Sequence, residues 1–462
     1  MKKIRRTAAA LLAACMLGTS ILGTISAGAA SAVTAEAQSS KPAVKAAISG
    51  EKIRLTWNKV SGASKYRVYI YRGGEFEKLT DITKRVVNIK GAKAGREYSF
   101  AVSAYVDGGW TEVNENDLVS ITVPGSSATD GEKMLSLWTS DARAKSELIS
   151  YIKAITTEGS KDYIPVKNRI AVFDLDGTLF CETDPNYFDY TLLKYRVLED
   201  PDYKDKASDF EKEVANKIKQ QNETGASFDG LEVDHGKAVA SAFKGMTIDE
   251  FNDYIQEFKK QAMPSYDGML RGEGFYKPML QIIDYLKAND FTVYVVSGTD
   301  RFIVRGICHN SALDLPNSQI IGSDELLVAD NQGDTDGLKY TFTDKDKLVL
   351  GGEFIIKNLK TNKVTVIAQE IGEQPVLSFG NSTGDSSMNT YTITNNKYKS
   401  LAFMLCCDDL ERENGNTEKA DKMYKTCEEN NYIPISMKND WTTIYGDGVT
   451  YTGAYAAERV AA

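Results

Sequence analysis

Two carboxylates, Asp174 and Asp176, stand two positions apart, directly after the apolar run Ile170-Ala171-Val172-Phe173 and directly before Gly177-Thr178. Like charges that close repel unless a proton or a cation separates them. A hard divalent cation such as Mg²⁺, held by oxygen ligands, is the usual solution. One carboxylate is then free to attack an electrophile and the other to carry a proton. The stretch therefore points to phosphoryl transfer through an aspartate. The only histidines are His235 and His309, which argues against His-dependent acid phosphatases and serine hydrolases.

The elements that must position these residues are legible around them. Ile170 to Leu175 reads as a buried strand. Phe275, Met279, Ile282, Ile283 and Leu286 fall on one helical face and lead into the strand Phe291 to Val296. Further strands are expected at Val364–Ile367, Val376–Phe379 and Leu401–Leu405. Strands alternating with helices predict an α/β fold, a mostly parallel Rossmann-like sheet covered on both faces. Ligands then sit at the carboxyl ends of strands, where the chemical residues cluster. Between the first two strands lies a charged, aromatic-rich stretch, about 180–273, with helical character at Phe210 to Gln221 and Ile248 to Gln261.

Upstream, residues 41–124 alternate apolar with polar positions, as in Ile53 to Trp57, Tyr66 to Ile70 and Tyr98 to Val102, separated by turn clusters. That pattern predicts an all-β sandwich. Residues 125–160 read as a linker and leading helices, and 161–462 as the chemical domain. Residues 1–37 read as a secretory signal, with Lys2, Lys3, Arg5 and Arg6 before an apolar run and small-residue cleavage patterns. Cys15, in Leu12-Ala13-Ala14-Cys15, is the weaker lipoprotein alternative. A secreted or cell-surface protein is expected, with no membrane-spanning segment once the signal is removed.

The 462 residues carry a net charge of -9, 42% hydrophobic and 26% charged residues. This is a globular composition, and without a long basic block nucleic acid is not an expected partner. Cys181, Cys308, Cys406, Cys407 and Cys427 show no regular spacing, so no disulfide framework is implied.

Phe173-Asp-Leu-Asp-Gly-Thr-Leu179 resembles motif I of the haloacid dehalogenase superfamily, whose members are mostly phosphatases. The resemblance implies that Asp174 is the nucleophile and that Asp176 protonates the leaving group and then activates water. It also implies Mg²⁺ bound by Asp174 and the Asp176 main-chain carbonyl. Dehalogenases of the family lack a residue like Asp176, because halide needs no proton. Thr178 is a further candidate phosphate contact. Val295-Val296-Ser297-Gly298-Thr299 is similar to motif II, a phosphate cradle at Ser297 and Gly298. Phe379 to Asp385 is similar to motif IV, but Asn381 stands where the family usually has Asp, which leaves the division of metal binding between Asn381 and Asp385 open. For the motif III lysine, Lys357, Lys360 and Lys363 compete; Lys363 fits best and Lys360 next. The long stretch at 180–273 resembles a helical cap inserted between motifs I and II.

The block Asp408 to Arg412 and Ile435 to Trp441 resembles exported hydrolases of this superfamily. Many of them carry a His pair where this chain has Cys406-Cys407, which we read as structural. The superfamily resemblance spans roughly 162–446. The placement of Trp57, Tyr66 and Tyr98 resembles a fibronectin type III module, a spacer or a surface or glycan contact. His235 is expected to be surface or structural; Glu182 is a candidate for binding substrate or shaping the entrance. The expected activity is Mg²⁺-dependent hydrolysis of a small phosphomonoester. The alternatives are a phosphotransferase with the same aspartyl-phosphate chemistry, or a non-catalytic surface-binding protein.

Overall fold

A computed structural model describes residues 41–49, 52–92, 96–123, 129–313 and 315–453. The expected signal segment 1–37 and Cys15 lie outside them, as does most of the expected linker. The chain divides into two compact units, one up to Val123 without Lys93–Arg96, and the other from Pro124 onward together with Lys93–Arg96.

The first unit is all-β. Val44–Ser49, Lys52–Trp57 and Val86–Ile89 form one antiparallel sheet. Lys65–Arg72 and Glu97–Val106 form the centre of the other, flanked by Glu75–Ile82 and Val119–Thr122. Alternation buries Ile53, Leu55 and Trp57 from one sheet and Tyr66, Val68, Ile70, Phe100 and Val102 from the other in one core. Trp57 meets Tyr66 edge to face at 5.5 Å.

The second unit is built on a seven-stranded sheet with Ile170–Phe173 in the middle. Thr292–Asp300 and Ile320–Ala329 lie on one side of it, and Leu377–Gly380, Leu401–Cys406 and Ile433–Ser436 on the other. These pair in parallel, while the edge strand Leu348–Ile356 is antiparallel. The period of two sends Ala171, Phe173, Val295 and Phe379 to one face and Val172 and Val296 to the other. The rings of Phe173, Phe379 and Phe403 stack in sequence at 4.3 and 4.7 Å. Both faces of the sheet are buried, as its near-continuous apolar strands require.

Two elements differ from the sequence expectation. Val364–Ile367 is helical rather than a strand: the helix Thr361–Val366 runs into a π-turn at Ile367–Ile371, ended by Gly372 at φ 74°. The β-branched run suggested a strand, but helical spacing of four lets Lys363 and Ile367 share one buried side. The antiparallel extension Ile320–Ala329 with Leu348–Ile356 was not anticipated, because the long polar segment between the strands hides their pairing.

The inserted segment forms four helices, Phe188–Leu198, Asp209–Thr224, Leu231–Ala242 and Ile248–Phe258. Its entry and exit are tied together. Asp184 accepts from Ser265 N at 2.8 Å and pairs with Arg271 at 3.2 Å. Fully buried Glu413 accepts from Thr183 Oγ1 at 2.6 Å and from the hydroxyls of Tyr266 and Tyr445. Tyr266–Asp267 also pairs with Thr450–Tyr451. The cap is thereby fastened at both crossings.

Candidate active site

The central strand ends at Phe173, and the chain then turns tightly. Asp174 N donates to Phe379 O at 2.9 Å, and Leu175 O accepts from Thr178, Leu179 and Phe180 N. Gly177 has φ 74°, and a Cβ there would lie 1.9 Å from Asn381 Nδ2 and 2.5 Å from Glu182 Oε2. Glycine is therefore required both by the backbone and by the space.

The turn delivers Asp174 and Asp176 to different surroundings. Fully buried Lys363 donates to Asp174 Oδ1 at 2.5 Å and to Asp385 Oδ1 at 2.6 Å. Asp385 Oδ2 accepts from the main-chain N of Asn381 and Ser382 and from Ser382 Oγ, at 3.0–3.1 Å. Asp176 Oδ2 accepts from Thr299 Oγ1 at 2.8 Å, and its Oδ1 is buried without a partner. Burial pushes Asp174 up to about 7, Asp385 adds to this, and Lys363 pulls it back. Asp176 is held well above the ordinary carboxylate range, by burial first and then by Asp189 and Asp174, with the Thr299 bond opposing. Burial opposes the Lys363 charge, but Asp174 and Asp385 outweigh it and keep the ammonium above its ordinary value. The pair is thus split into a carboxylate beside a cation and one beside a neutral hydroxyl, its proton favoured by burial.

Asp174, Asp176, Gly298, Asn381 and Asp385 line one cavity of about 280 Å³. Ser297 and Thr178 are fully buried and are not on its wall. Ser297 Oγ accepts from Thr299 N at 3.1 Å and so shapes the loop, while Thr178 Oγ1 reaches Asn381 Oδ1 at 3.5 Å. Lys360 is exposed and Lys357 is on the cavity wall. The sequence reading missed Thr299 as the Asp176 partner, although it sits beside the Ser297-Gly298 pair. It also missed the placement of Asp189 and Glu232 on the wall. Glu182 Oε2 accepts from Asn381 Nδ2 at 3.0 Å, so the charge absent from Asn381 is one side chain away. Enclosure pushes Glu182 up to about 7 against the pull of the Asn381 bond.

His235 is buried, not on the surface. Its ring is 4.1 Å from that of Tyr190, and burial holds it down to about 4. The five described cysteines are free thiols. Burial pushes Cys181 and Cys407 up, which leaves neither as a nucleophile at neutral pH.

The donor set suits a hard cation. It is made of oxygens, Asp174 and Asp176 are raised by burial and by neighbouring carboxylates, and Asp176 Oδ1 is an orphaned buried acceptor. Among the described residues no three His, Cys, Asp or Glu side chains converge to hold an ion by themselves. A metal here would accordingly draw on main-chain and substrate oxygens as well. No helix among the described residues is long and apolar enough to cross a membrane.

Residues 171–388 match the family model of haloacid dehalogenase-like hydrolases. No curated protein is significantly similar to the chain. Among solved structures, a conserved protein of unknown function from Anaerococcus prevotii is 15% identical, covering 63% of this chain and 91% of its own, at a TM-score of 0.40. A fibronectin type III-like protein from Clostridium thermocellum is 25% identical over 20% of this chain and 98% of its own, at a TM-score of 0.17.

Proposed function

From the haloacid dehalogenase-like hydrolase domain at residues 171–388, we propose a Mg²⁺-dependent phosphatase that hydrolyses a small phosphomonoester through an aspartyl-phosphate. The observation that carries this reading is the division of the carboxylates: Asp174 sits at 2.5 Å from the Lys363 ammonium, and Asp176 beside a hydroxyl and no cation. In the first step an Asp174 oxygen bonds to phosphorus while the ester P–O bond breaks. Asp176 gives its proton to the departing alkoxide. In the second step water passes a proton to Asp176 and attacks phosphorus, and the Asp174–phosphorus bond breaks to give inorganic phosphate. Lys363 offsets negative charge on Asp174 and on the phosphoryl oxygens. Gly298 and Thr299, on the cavity wall, receive those oxygens; Ser297 shapes their loop and Thr299 holds Asp176 in place.

Asp174, the Asp176 carbonyl, Asn381 and Asp385 would hold Mg²⁺, with Glu182 adjacent. The cation supplies electrostatic relief for charge on the transferred group. The cap above the site favours small soluble esters over folded phosphoproteins, because it restricts entry and excludes water. Export remains part of the proposal, on the strength of the basic start and apolar run at 1–37. The test is phosphate release from an aryl phosphate, with and without Mg²⁺. Turnover that needs Mg²⁺ and is lost in Asp174→Asn is expected. No turnover in the wild type, or unchanged turnover in Asp174→Asn, would sink the mechanism.

A further inference from the structure

We propose that the ester this site takes carries a positive charge on its alcohol, as in phosphate esters of amino or quaternary ammonium alcohols; this rests on the phosphatase reading. The phosphoryl group must reach Asp174, so the alcohol extends toward the wall supplied by the cap. That wall consists of Tyr187, Asp189 and Tyr190 at the start of Phe188–Leu198, and Glu232 in the first turn of Leu231–Ala242. The rings of Tyr187 and Tyr190 stand edge to face, with centroids 5.4 Å apart and planes at 72°. Such a pair offers aromatic surface to a cation.

Asp189 supplies the second, independent sign. It lines the cavity yet is 2% exposed. Its Oδ1 accepts from Tyr190 N at 2.9 Å. Its Oδ2 has no donor within hydrogen-bond reach among the described residues, the nearest cationic candidate being His235 Nδ1 at 3.7 Å. Burial keeps that imidazole neutral at ordinary pH. A buried carboxylate without a counter-ion, facing a cavity, costs free energy that a cationic ligand would relieve.

The cavity as a whole tells the same story. Asp174, Asp176, Glu182, Asp189, Glu232 and Asp385 face it, and Lys357 is the one basic residue on its wall among the described residues. Lys363 lies behind Asp174 and Asp385, committed to both. Lys357 directly follows the edge strand Leu348–Ile356, which packs against Leu231–Ala242, and its charge helps keep His235 neutral rather than pairing with Asp189. Mg²⁺ and Lys363 would answer the charge of Asp174 and Asp385, which leaves Asp189 and Glu232 as the carboxylates a neutral alcohol would not compensate. A sugar alcohol could donate hydrogen bonds to Asp189 and Glu232, but it would leave the charge uncorrected. The volume, about 280 Å³, suits a small headgroup.

The full-length protein should be assayed on phosphocholine, phosphoethanolamine, a sugar phosphate, an aryl phosphate and the carbon isostere of phosphocholine, in which carbon replaces the charged nitrogen. We expect kcat/KM for phosphocholine or phosphoethanolamine to exceed that for the isostere by at least about tenfold. That ratio should fall severalfold in Glu232→Gln and in Tyr187→Leu, both exposed positions where folding is not at stake. Asp189→Asn should lower it further if the variant folds. Equal kcat/KM for the isostere, or a preference for the sugar phosphate, would overturn the inference while leaving the phosphatase reading intact. Failure to hydrolyse even the aryl phosphate would overturn that reading instead. In that event calorimetry with free choline remains decisive: saturable binding, weakened in Glu232→Gln, upholds the cationic subsite, and absence of binding removes it.

Discussion

Asp174 and Asp176 differ in what stands beside them, and that difference makes single substitutions informative. Lys363 is wholly buried between Asp174 and Asp385. Lys363→Met would leave two buried carboxylates facing each other. We expect it to abolish turnover and to lower stability by about 3–5 kcal/mol in urea denaturation of the metal-free protein. Glu182 gives a test by pH. Its folded value, about 7, is above its ordinary 4.5, so between these values the folded state binds more protons than the unfolded one. Its contribution to stability is therefore full below pH 4.5 and is lost as pH rises through about 7. Glu182→Gln should raise the Tm of metal-free protein relative to wild type near pH 8 but not near pH 4, read by calorimetry. Mg²⁺ added to the wild type should shrink the difference at the higher pH, because binding to the folded state alone stabilises it. Gly177→Ala has no tolerated geometry, with positive φ and a Cβ overlapping Asn381.

At the level of elements, the site depends on how the cap is fastened and on which helix brings Lys363. Glu413 accepts from Thr183 at the cap's entry and from Tyr266 at its exit, and Tyr445 ties it to the C-terminal segment. Truncation to Glu413→Ala leaves several buried hydroxyls without their acceptor. It should cost at least about 2 kcal/mol and expose the cap to limited proteolysis before the sheet core is cut. Intact protease resistance in that variant would show that the cap is held by its apolar contacts alone. The Lys363 helix was the element the sequence misrepresented. Val-Thr-Val-Ile has the β-branched character of a strand, but the buried Lys363 and Ile367 need the spacing of a helix. Tertiary demand overrode local propensity.

At the scale of the molecule, the two units have separate hydrophobic cores, one around Trp57 and Phe100 and the other around Phe173 and Phe379. A fragment starting near residue 125 should therefore fold and hydrolyse aryl phosphate within about twofold of the full chain. A large loss of activity in that fragment would give the β-sandwich a catalytic role. Expression with the leader intact should yield, if export holds, a mature chain beginning near residue 38, measured by intact mass of the secreted fraction. Retention of the full mass in the cytoplasm would remove export from the proposal.

The sheet at the heart of the second unit was legible from the residues alone, because a parallel strand buried on both faces must be written as a continuous apolar run. The residues also marked where the chemistry stands, because paired carboxylates before Gly177 are costly anywhere but at a charge-handling site. The β-sandwich was legible for a related reason: alternation and turn clusters repeat along one short stretch of chain. It took the folded chain to show which lysine meets Asp174, that Thr299 holds Asp176 while Ser297 is turned to the loop, and that Glu182 stands beside Asn381. Only the fold placed Asp189, Tyr187 and Glu232 on the wall facing the carboxylates. Those relations join segments far apart in the chain. They follow from sheet order and cap docking, which depend on the summed burial of the whole unit rather than on local pattern.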